Sequence, residues 1–389
     1  MSNEKHDVIV VGAGPIGSYT AYQLAKTGLN VGIFEKNLSI GEDVNCTGLI
    51  SEECFKHFDL PREAILRQVD SIKAYSPSGN YIRYQSASPL AYIVNRSLFD
   101  QEMNRMAVRE GVTTYLNTRV EEITIMDDSF HVKVKTGEEE NKFSSKVGVI
   151  ATGFDLNSLR EGVTKPGKYL YGVQTDARTE DISDVEVYFG RNISPGSFAW
   201  VVPTHNKEAK IGLITKKNPL DYLKNFIENP LISHRVDMRN SQVKCSPIPF
   251  GVAPKSYAER LIVVGEAAGQ VKTTTGGGIY FGLLCSEIAV KTIMNAFAMK
   301  DFSEKVFKEY EISWRNRIEP ELNAGMLLRN LFSRLSDYQI NLLVDLVKKD
   351  GFLPIIKNYN FDWQKDLIAS LLRNFFSKSI FKKTSKTAS

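Results

Sequence analysis

Four cysteines in 389 residues, Cys46, Cys54, Cys245 and Cys285, form no CxxC pair and join no Cys/His cluster at metal-ligand spacing. This usage argues against a zinc site and against a disulfide framework; no metal is expected, and a reducing compartment fits. The chain also lacks any uninterrupted apolar run of the roughly 18 residues that a membrane-spanning helix requires. Its opening, Met1 to Asp7, is polar, and glycines break the apolar run that follows, so no signal peptide is read there. Excess charge is small, +4 from 49 basic and 45 acidic residues, and part of it sits in the C-terminal tail. Nothing in that balance supports nucleic-acid binding. No fixed-period repeat is visible.

With 42% hydrophobic and 24% charged residues the composition is that of a folded protein, long enough for at least two domains. Asp7 to Val11 is a β-branched run ended by glycine, the pattern of a central parallel strand covered on both faces. Ser18 to Thr27 reads as a helix, and Asn30 to Glu35 returns as a second strand, completing a βαβ unit. Similar strands recur at Lys146 to Ala151 and Arg260 to Val264, so a nucleotide-binding domain is assembled from separated pieces. Between them, Ile72 to Gln85 reads as a hairpin turning at Ser-Pro-Ser-Gly, and Glu186 to Phe189, Phe198 to Val202 and Ala209 to Ile214 read as strands of an inserted antiparallel sheet. After Gly276 the pattern is mostly helical.

The fold class expected is therefore α/β: a Rossmann-type domain (residues 1–70, 96–165 and 255–310), an inserted antiparallel-sheet domain (71–95 and 166–254) and a C-terminal helical appendage (311–389).

Gly12-Ala-Gly14-Pro15-Ile16-Gly17 follows a strand and opens a helix, the context in which GxGxxG binds a dinucleotide. Gly12 permits the tight turn, Gly14 lets the backbone approach a pyrophosphate, and Gly17 lets helix and strand pack closely, with the helix N-terminus supplying N–H groups. Glu35 ends the second strand, where a carboxylate accepts hydrogen bonds from a ribose hydroxyl and repels a 2'-phosphate. FAD and NAD both satisfy this fingerprint.

Later segments select FAD. Ala151-Thr152-Gly153 closes one strand, and Gly265-Glu266-Ala-Ala-Gly follows another; both are similar to the later FAD-contacting turns of flavin oxidoreductases, although the residue at the Glu266 position is usually aspartate. Gly276-Gly277-Gly278-Ile279 then leads into an apolar helix, whose first N–H groups suit the N1–C2=O end of a flavin. Lys36 and Val120 are counted with these segments as cofactor-binding candidates.

Taken together these segments resemble the geranylgeranyl reductase family, more closely its digeranylgeranylglycerophospholipid reductases, among the para-hydroxybenzoate hydroxylase-like flavoproteins. The resemblance rests on Asn45-Cys46-Thr-Gly48-Leu-Ile-Ser51, on Phe198-Ala-Trp200-Val-Val-Pro203 with Ile211-Gly212, and on Gly265 to Ala268 with Gly276 to Ile279. Asn95-Arg96-Ser-Leu-Phe-Asp100 is similar to the family's Arg-x-x-Phe-Asp stretch, whose arginine approaches the FAD phosphate and ribityl region. Two positions depart from the pattern: Thr204 replaces a frequent basic residue, and the cysteine motif has one glycine where two are common.

The resemblance implies an FAD-dependent reductase that saturates C=C bonds of a geranylgeranyl chain by hydride transfer from reduced flavin. Cys46 and Gly48 would lie at the reacting face, and Phe198, Trp200 and Pro203 would line the lipid site. The family's donors are NAD(P)H or a ferredoxin, and no second GxGxxG unit is present for a nicotinamide. An FAD-dependent aromatic monooxygenase and a flavoprotein electron carrier are the competing readings on the same scaffold.

Near the C-terminus, Trp363, Leu367, Leu371 and Phe375 recur every four residues beside Lys365, Arg373, Lys378, Lys382 and Lys383. That pattern is a basic amphipathic helix suited to an anionic membrane surface; the alternative packs the stripe on the protein body. A cytoplasmic chain, peripheral on the inner face of the cell membrane, is the expected location.

Overall fold

The computed structural model describes residues 5–154, 163–238, 241–349 and 361–370. Its centre is a six-stranded sheet in the order Tyr257–Ala258, Leu261–Val263, Val147–Ile150, Val8–Val11, Val31–Phe34, Thr113–Tyr115. All neighbours are parallel except the Tyr257–Ala258 edge strand. Val8 to Val11 is buried on both faces, as its unbroken β-branched run requires. Val8 and Val10 join the helix-covered core, while Ile9 and Val11 face a second sheet made of Thr118–Ile125, Phe130–Thr136 and Glu139–Ser145. Phe130 seats directly over Gly148, where a Cβ would come within 2.3 Å of its ring.

The principal α-helices are α1 (Pro15–Ala25), α2 (Glu52–His57), α3 (Arg96–Arg109), α4 (Pro219–Ile227), α5 (Ile279–Met299), α6 (Glu304–Phe332) and α7 (Asp337–Lys349). α1 starts three residues before the expected Ser18, because Pro15 occupies its first position with φ already set for a helix. α1 packs between α3 and α5, and the buried Thr20 hydroxyl donates to Ser286 Oγ across the α1–α5 contact at 2.9 Å. α5 is long and apolar enough to cross a membrane by length and composition alone, yet 56% of its apolar window is buried in this core.

The large second sheet runs Val236–Asp237, Tyr169–Thr179, Glu208–Thr215, Ala199–Pro203, Val185–Tyr188, Ser71–Tyr75, Tyr81–Gln85, with Val243–Pro249 also paired to Tyr169–Thr179. The Ser71–Gln85 hairpin is present as expected. The sheet is not wholly antiparallel: Val185–Tyr188 and Ser71–Tyr75 run parallel, because the hairpin enters from a distant part of the chain. One face of the sheet packs on α4 through Val173, Val201, Ile211, Leu213, Leu223 and Phe226. Ala91–Val94, expected in this second unit, pairs instead with Leu49–Ser51 and Ile65–Val69 in a small sheet of its own.

Candidate active site

Gly12 follows the Val8–Val11 strand at φ +102°, and a Cβ there would lie 2.6 Å from the Ala151 carbonyl oxygen. Only glycine satisfies both demands, so the first turn nests against the Ala151–Gly153 turn. Gly17 is equally confined, its Cβ position lying 2.0 Å from Gly12 O, whereas a Cβ on Gly14 would meet nothing within 4 Å. That open approach lies at the α1 N-terminus, whose first N–H groups have no intrahelical partner. Glu35 is fixed beside it: Ala13 N–H donates to Oε2 at 2.9 Å and Asn37 N–H to Oε1 at 3.1 Å. Lys36 is exposed next to it. Thr118 N–H donates to the Glu35 carbonyl at 2.8 Å, which sets Val120 two residues along the adjoining strand. Ile16 links the first and last turns, its side chain filling the space over both Gly265 and Gly282.

Cys46 lies on a loop pinned to the start of α3, where Ser97 Oγ donates to Gly41 O at 2.7 Å and Gln101 Nε2 to Ile40 O at 3.2 Å. Gly48, at φ +78°, presses against Val94 O, and its N–H donates to Cys46 Sγ at 3.4 Å. Arg96, the first residue of α3, forms two 3.1 Å hydrogen bonds with Asp100. Burial works against its charge, but Asp100 and the neighbouring Cys46 sulfur outweigh that and hold the guanidinium above its ordinary pKa. Burial also pushes the Glu266 carboxyl up, with Arg96 drawing it back. Glu266 sits between two predicted turns, Oε2 lying 3.9 Å from a Cβ position on Gly153 and Oε1 3.4 Å from one on Gly278. The longer side chain is thus accommodated where aspartate was the expected residue.

The glycine run rests on the large sheet. A Cβ on Gly276 would touch Ile214 and Ile248 at 3.4 to 3.5 Å. Asn45, beside Cys46, donates through Nδ2 to Gly172 O at 3.3 Å and Ser246 Oγ at 3.1 Å. Phe198 and Trp200 share this region, ring centroids 5.9 Å apart. Pro203 does not join them: strand alternation puts it on the face of Ala199 and Val201, where it lines a separate cavity of about 380 Å³ with Arg67, His205 and Lys207. The residues present therefore fit FAD. The Gly12–Gly17 turn, Glu35 and Arg96 would hold the nucleotide and phosphates, Glu266 and Gly153 the ribityl chain, and the start of α5 the flavin ring.

The Thi4 family profile matches residues 2–159. Digeranylgeranylglycerophospholipid reductase of Methanocaldococcus jannaschii is 32% identical over 88% of this chain and 90% of its own length. The chain belongs to that reductase family. Digeranylgeranylglycerophospholipid reductase 1 of Methanococcoides burtonii is 29% identical over 90% of this chain and 89% of its own. Among solved structures, a geranylgeranyl bacteriochlorophyll reductase-like protein of Thermoplasma acidophilum superposes with a TM-score of 0.82 at 23% identity, covering 94% of this chain and 98% of that one. The two chains share one fold over nearly their whole length.

Sequence reasoning missed several buried charges beside this site. Arg329 of α6 is buried over Phe250 and donates to Ser197 Oγ at 2.8 Å and to the Thr273 and Thr274 carbonyls; burial pushes it down to about 10. Lys272 and Asp362 form a buried 2.5 Å ion pair behind the glycine run. Neither carries a local sequence signal, since each depends on contact with a distant segment. Trp363, the described start of the C-terminal stripe, and Ile368 beside that stripe pack on the body, Trp363 Nε1 donating to Tyr280 Oη at 3.2 Å. The rest of that stripe, including Leu371, Arg373, Phe375 and Lys378, lies outside the described residues.

Proposed function

We propose that this chain is an FAD-dependent reductase that saturates isoprenoid C=C bonds in the geranylgeranyl chains of a prenyl lipid. One observation carries the reading: the Cys46 loop and the glycine run converge on the same face of the large sheet, through Asn45 on Gly172 and Gly276 on Ile214 and Ile248. Family membership supplies the substrate class.

An isolated trisubstituted alkene has no carbonyl to accept charge, so one carbon must receive hydride and the other a proton. Bound FAD in its reduced form supplies the hydride. Cys46 supplies the proton from Sγ, which lies beside the Arg96 guanidinium and accepts from Gly48 N–H, and solvent reprotonates the sulfur. Asp100 orients Arg96. Ile214, Ile248 and Phe198 give the alkene an apolar surface and exclude water from the reacting atoms.

The electron donor that reloads FAD is NAD(P)H or a ferredoxin, and rapid mixing of oxidised enzyme with each distinguishes them. The chain works at the inner face of the cell membrane. Tyr338, Leu342 and Leu346 support this, forming an exposed stripe at four-residue spacing on α7, with Leu327 and Leu331 exposed on α6. Loss of anionic-vesicle binding in Leu342→Glu would support that placement, and binding unchanged in this variant would count against it. For the reductase activity itself, dithionite-driven turnover must yield lipid with fewer double bonds; oxygen-dependent hydroxylation in its place would point to a monooxygenase.

A further inference from the structure

The glycine run is clasped by a distant part of the chain. Within the run, Lys272 N–H donates to Gly277 O at 3.0 Å and Gly276 N–H donates to Lys272 O at 2.8 Å, so Lys272 closes the loop on itself. Its side chain folds back against the loop: a Cβ on Gly277 would lie 3.1 Å from Lys272 Cε and 3.7 Å from Nζ. Gly277 is exposed, whereas Lys272 is 8% exposed and so lies on the inner side. The clasp is the segment from Phe361 to Lys365. Asp362, 3% exposed, pairs with Lys272 Nζ at 2.5 Å, and the Phe361 ring centroid lies 4.8 Å from the same ammonium. Thr274 Oγ1 donates to Gln364 Oε1 at 2.8 Å, and Trp363 Nε1 donates to Tyr280 Oη in the first turn of α5. Glu321 of α6 holds the segment in turn, accepting the Gln364 and Lys365 N–H groups at 2.9 and 2.7 Å.

An apolar pair would fill the same space without the cost of burying an ammonium and a carboxylate, so the charges themselves need a reason. They lie beside the glycine run and the start of α5, which would hold the flavin ring, and charge near that ring tunes its chemistry. The free N–H groups at the start of α5 already favour the reduced, anionic ring. Arg329 adds a second buried cation on the same stretch, donating to the Thr273 and Thr274 carbonyls, and among the described residues no carboxylate pairs with it. We infer that Asp362 is the counter-ion of the flavin site, cancelling the Lys272 ammonium so that the reduced flavin stays a strong hydride donor. The role rests on the FAD-dependent reductase reading above, since an isolated alkene accepts hydride only from a strong donor. Asp362 is a positioning residue that acts through Lys272. Without its carboxylate, two buried cations and a helix start would together stabilise the reduced flavin and weaken it as a donor.

The test is the two-electron midpoint potential of the FAD-loaded full-length enzyme at pH 7, measured by equilibration with a reference dye, beside the affinity of the apoprotein for oxidised FAD. Asp362→Asn is expected to favour reduced over oxidised FAD by about tenfold, which is about 30 mV upwards for a two-electron couple. Lys272→Met combined with Asp362→Leu removes both charges and is expected to return the potential to the wild-type value. A loop that has merely lost its shape would weaken FAD binding in both variants, with no recovery in the double one. An unchanged or lowered potential in Asp362→Asn would overturn the inference, as would a double variant shifted as far as Asp362→Asn. If Asp362→Asn fails to fold or to hold FAD, Lys272→Met decides: it leaves the carboxylate and is expected to lower the potential, and an unchanged or raised value overturns the inference. Potentials that move as expected in an enzyme whose reduced flavin saturates no lipid would leave the counter-ion role standing and remove the reductase reading.

Discussion

Replacing Arg96 by methionine removes one half of a buried ion pair and leaves the other half in place. The Arg96 side chain is 12% exposed and that of Asp100 5%, and the two are joined by parallel 3.1 Å hydrogen bonds. Truncating one partner of such a pair costs about 3–5 kcal/mol, chiefly because a carboxylate is left buried without its counter-charge. In urea that corresponds to a midpoint lowered by on the order of 1–2 M. The loss depends on pH in a defined direction. Burial already raises the Asp100 carboxyl against the pull of Arg96, and losing Arg96 raises it further. A carboxyl whose folded pKa lies above its unfolded value favours the folded state at low pH and loses that contribution as pH rises through the folded pKa. The deficit of Arg96→Met should thus be greatest at pH 7 and shrink towards about pH 3, below the unfolded value of about 3.9, where the carboxyl is protonated in both states. Adding Asp100→Asn to Arg96→Met should recover most of the loss at neutral pH. Urea titrations at saturating FAD, at both pH values, check this. An equal deficit at the two pH values, or a double variant no more stable than Arg96→Met, would refute the reasoning.

Cys46→Ala should keep the yellow bound flavin but lose most lipid saturation, measured as product mass per bound FAD; unchanged turnover would remove Cys46 as proton donor. Glu35→Gln should weaken FAD binding by about 1.5–3 kcal/mol, the worth of hydrogen bonds to a charged group, and a fluorescence titration of the apoprotein measures it. For Asp184, burial is outweighed by Arg83, Ser71 and Lys73, which hold the carboxyl well below the usual range. Its contribution is therefore present above the unfolded value of about 3.9 and lost as pH falls below it. The melting-temperature gap between wild type and Asp184→Asn should be constant above about pH 5 and narrow progressively as pH falls from about 4 towards the much lower folded value, as scans across that range would show.

The parts legible in the sequence were those whose physics is local. Gly12, Gly14 and Gly17 could be given separate jobs because a strand precedes them and a helix follows; Gly12 and Gly17 are confined as the tight turn and the close packing require, and the space beside Gly14 is open. The Ser71–Gln85 hairpin was likewise written in its turn residues. Pairings between distant segments were not legible. The alternation of Phe130, Val132 and Val134 was an available signal for the sheet that covers the Rossmann-type strands, and it was passed over among charged neighbours. Arg329, Asn45 and the Lys272–Asp362 pair depend on partners from 55 to 132, 127 to 201 and 90 residues away, so no window of sequence contains them. Pro203 was grouped with Trp200 by motif, but the two-residue period of a strand separates them.

The central claim is tested most directly by a single anaerobic turnover. Dithionite-reduced enzyme, freed of excess reductant, is mixed with a digeranylgeranyl phospholipid while flavin absorbance near 450 nm and lipid mass are followed together. Reoxidation of the flavin matched by a gain of two hydrogens per flavin in the lipid is the predicted result. A flavin that stays reduced until oxygen or a partner protein is added, with lipid mass unchanged, would contradict it.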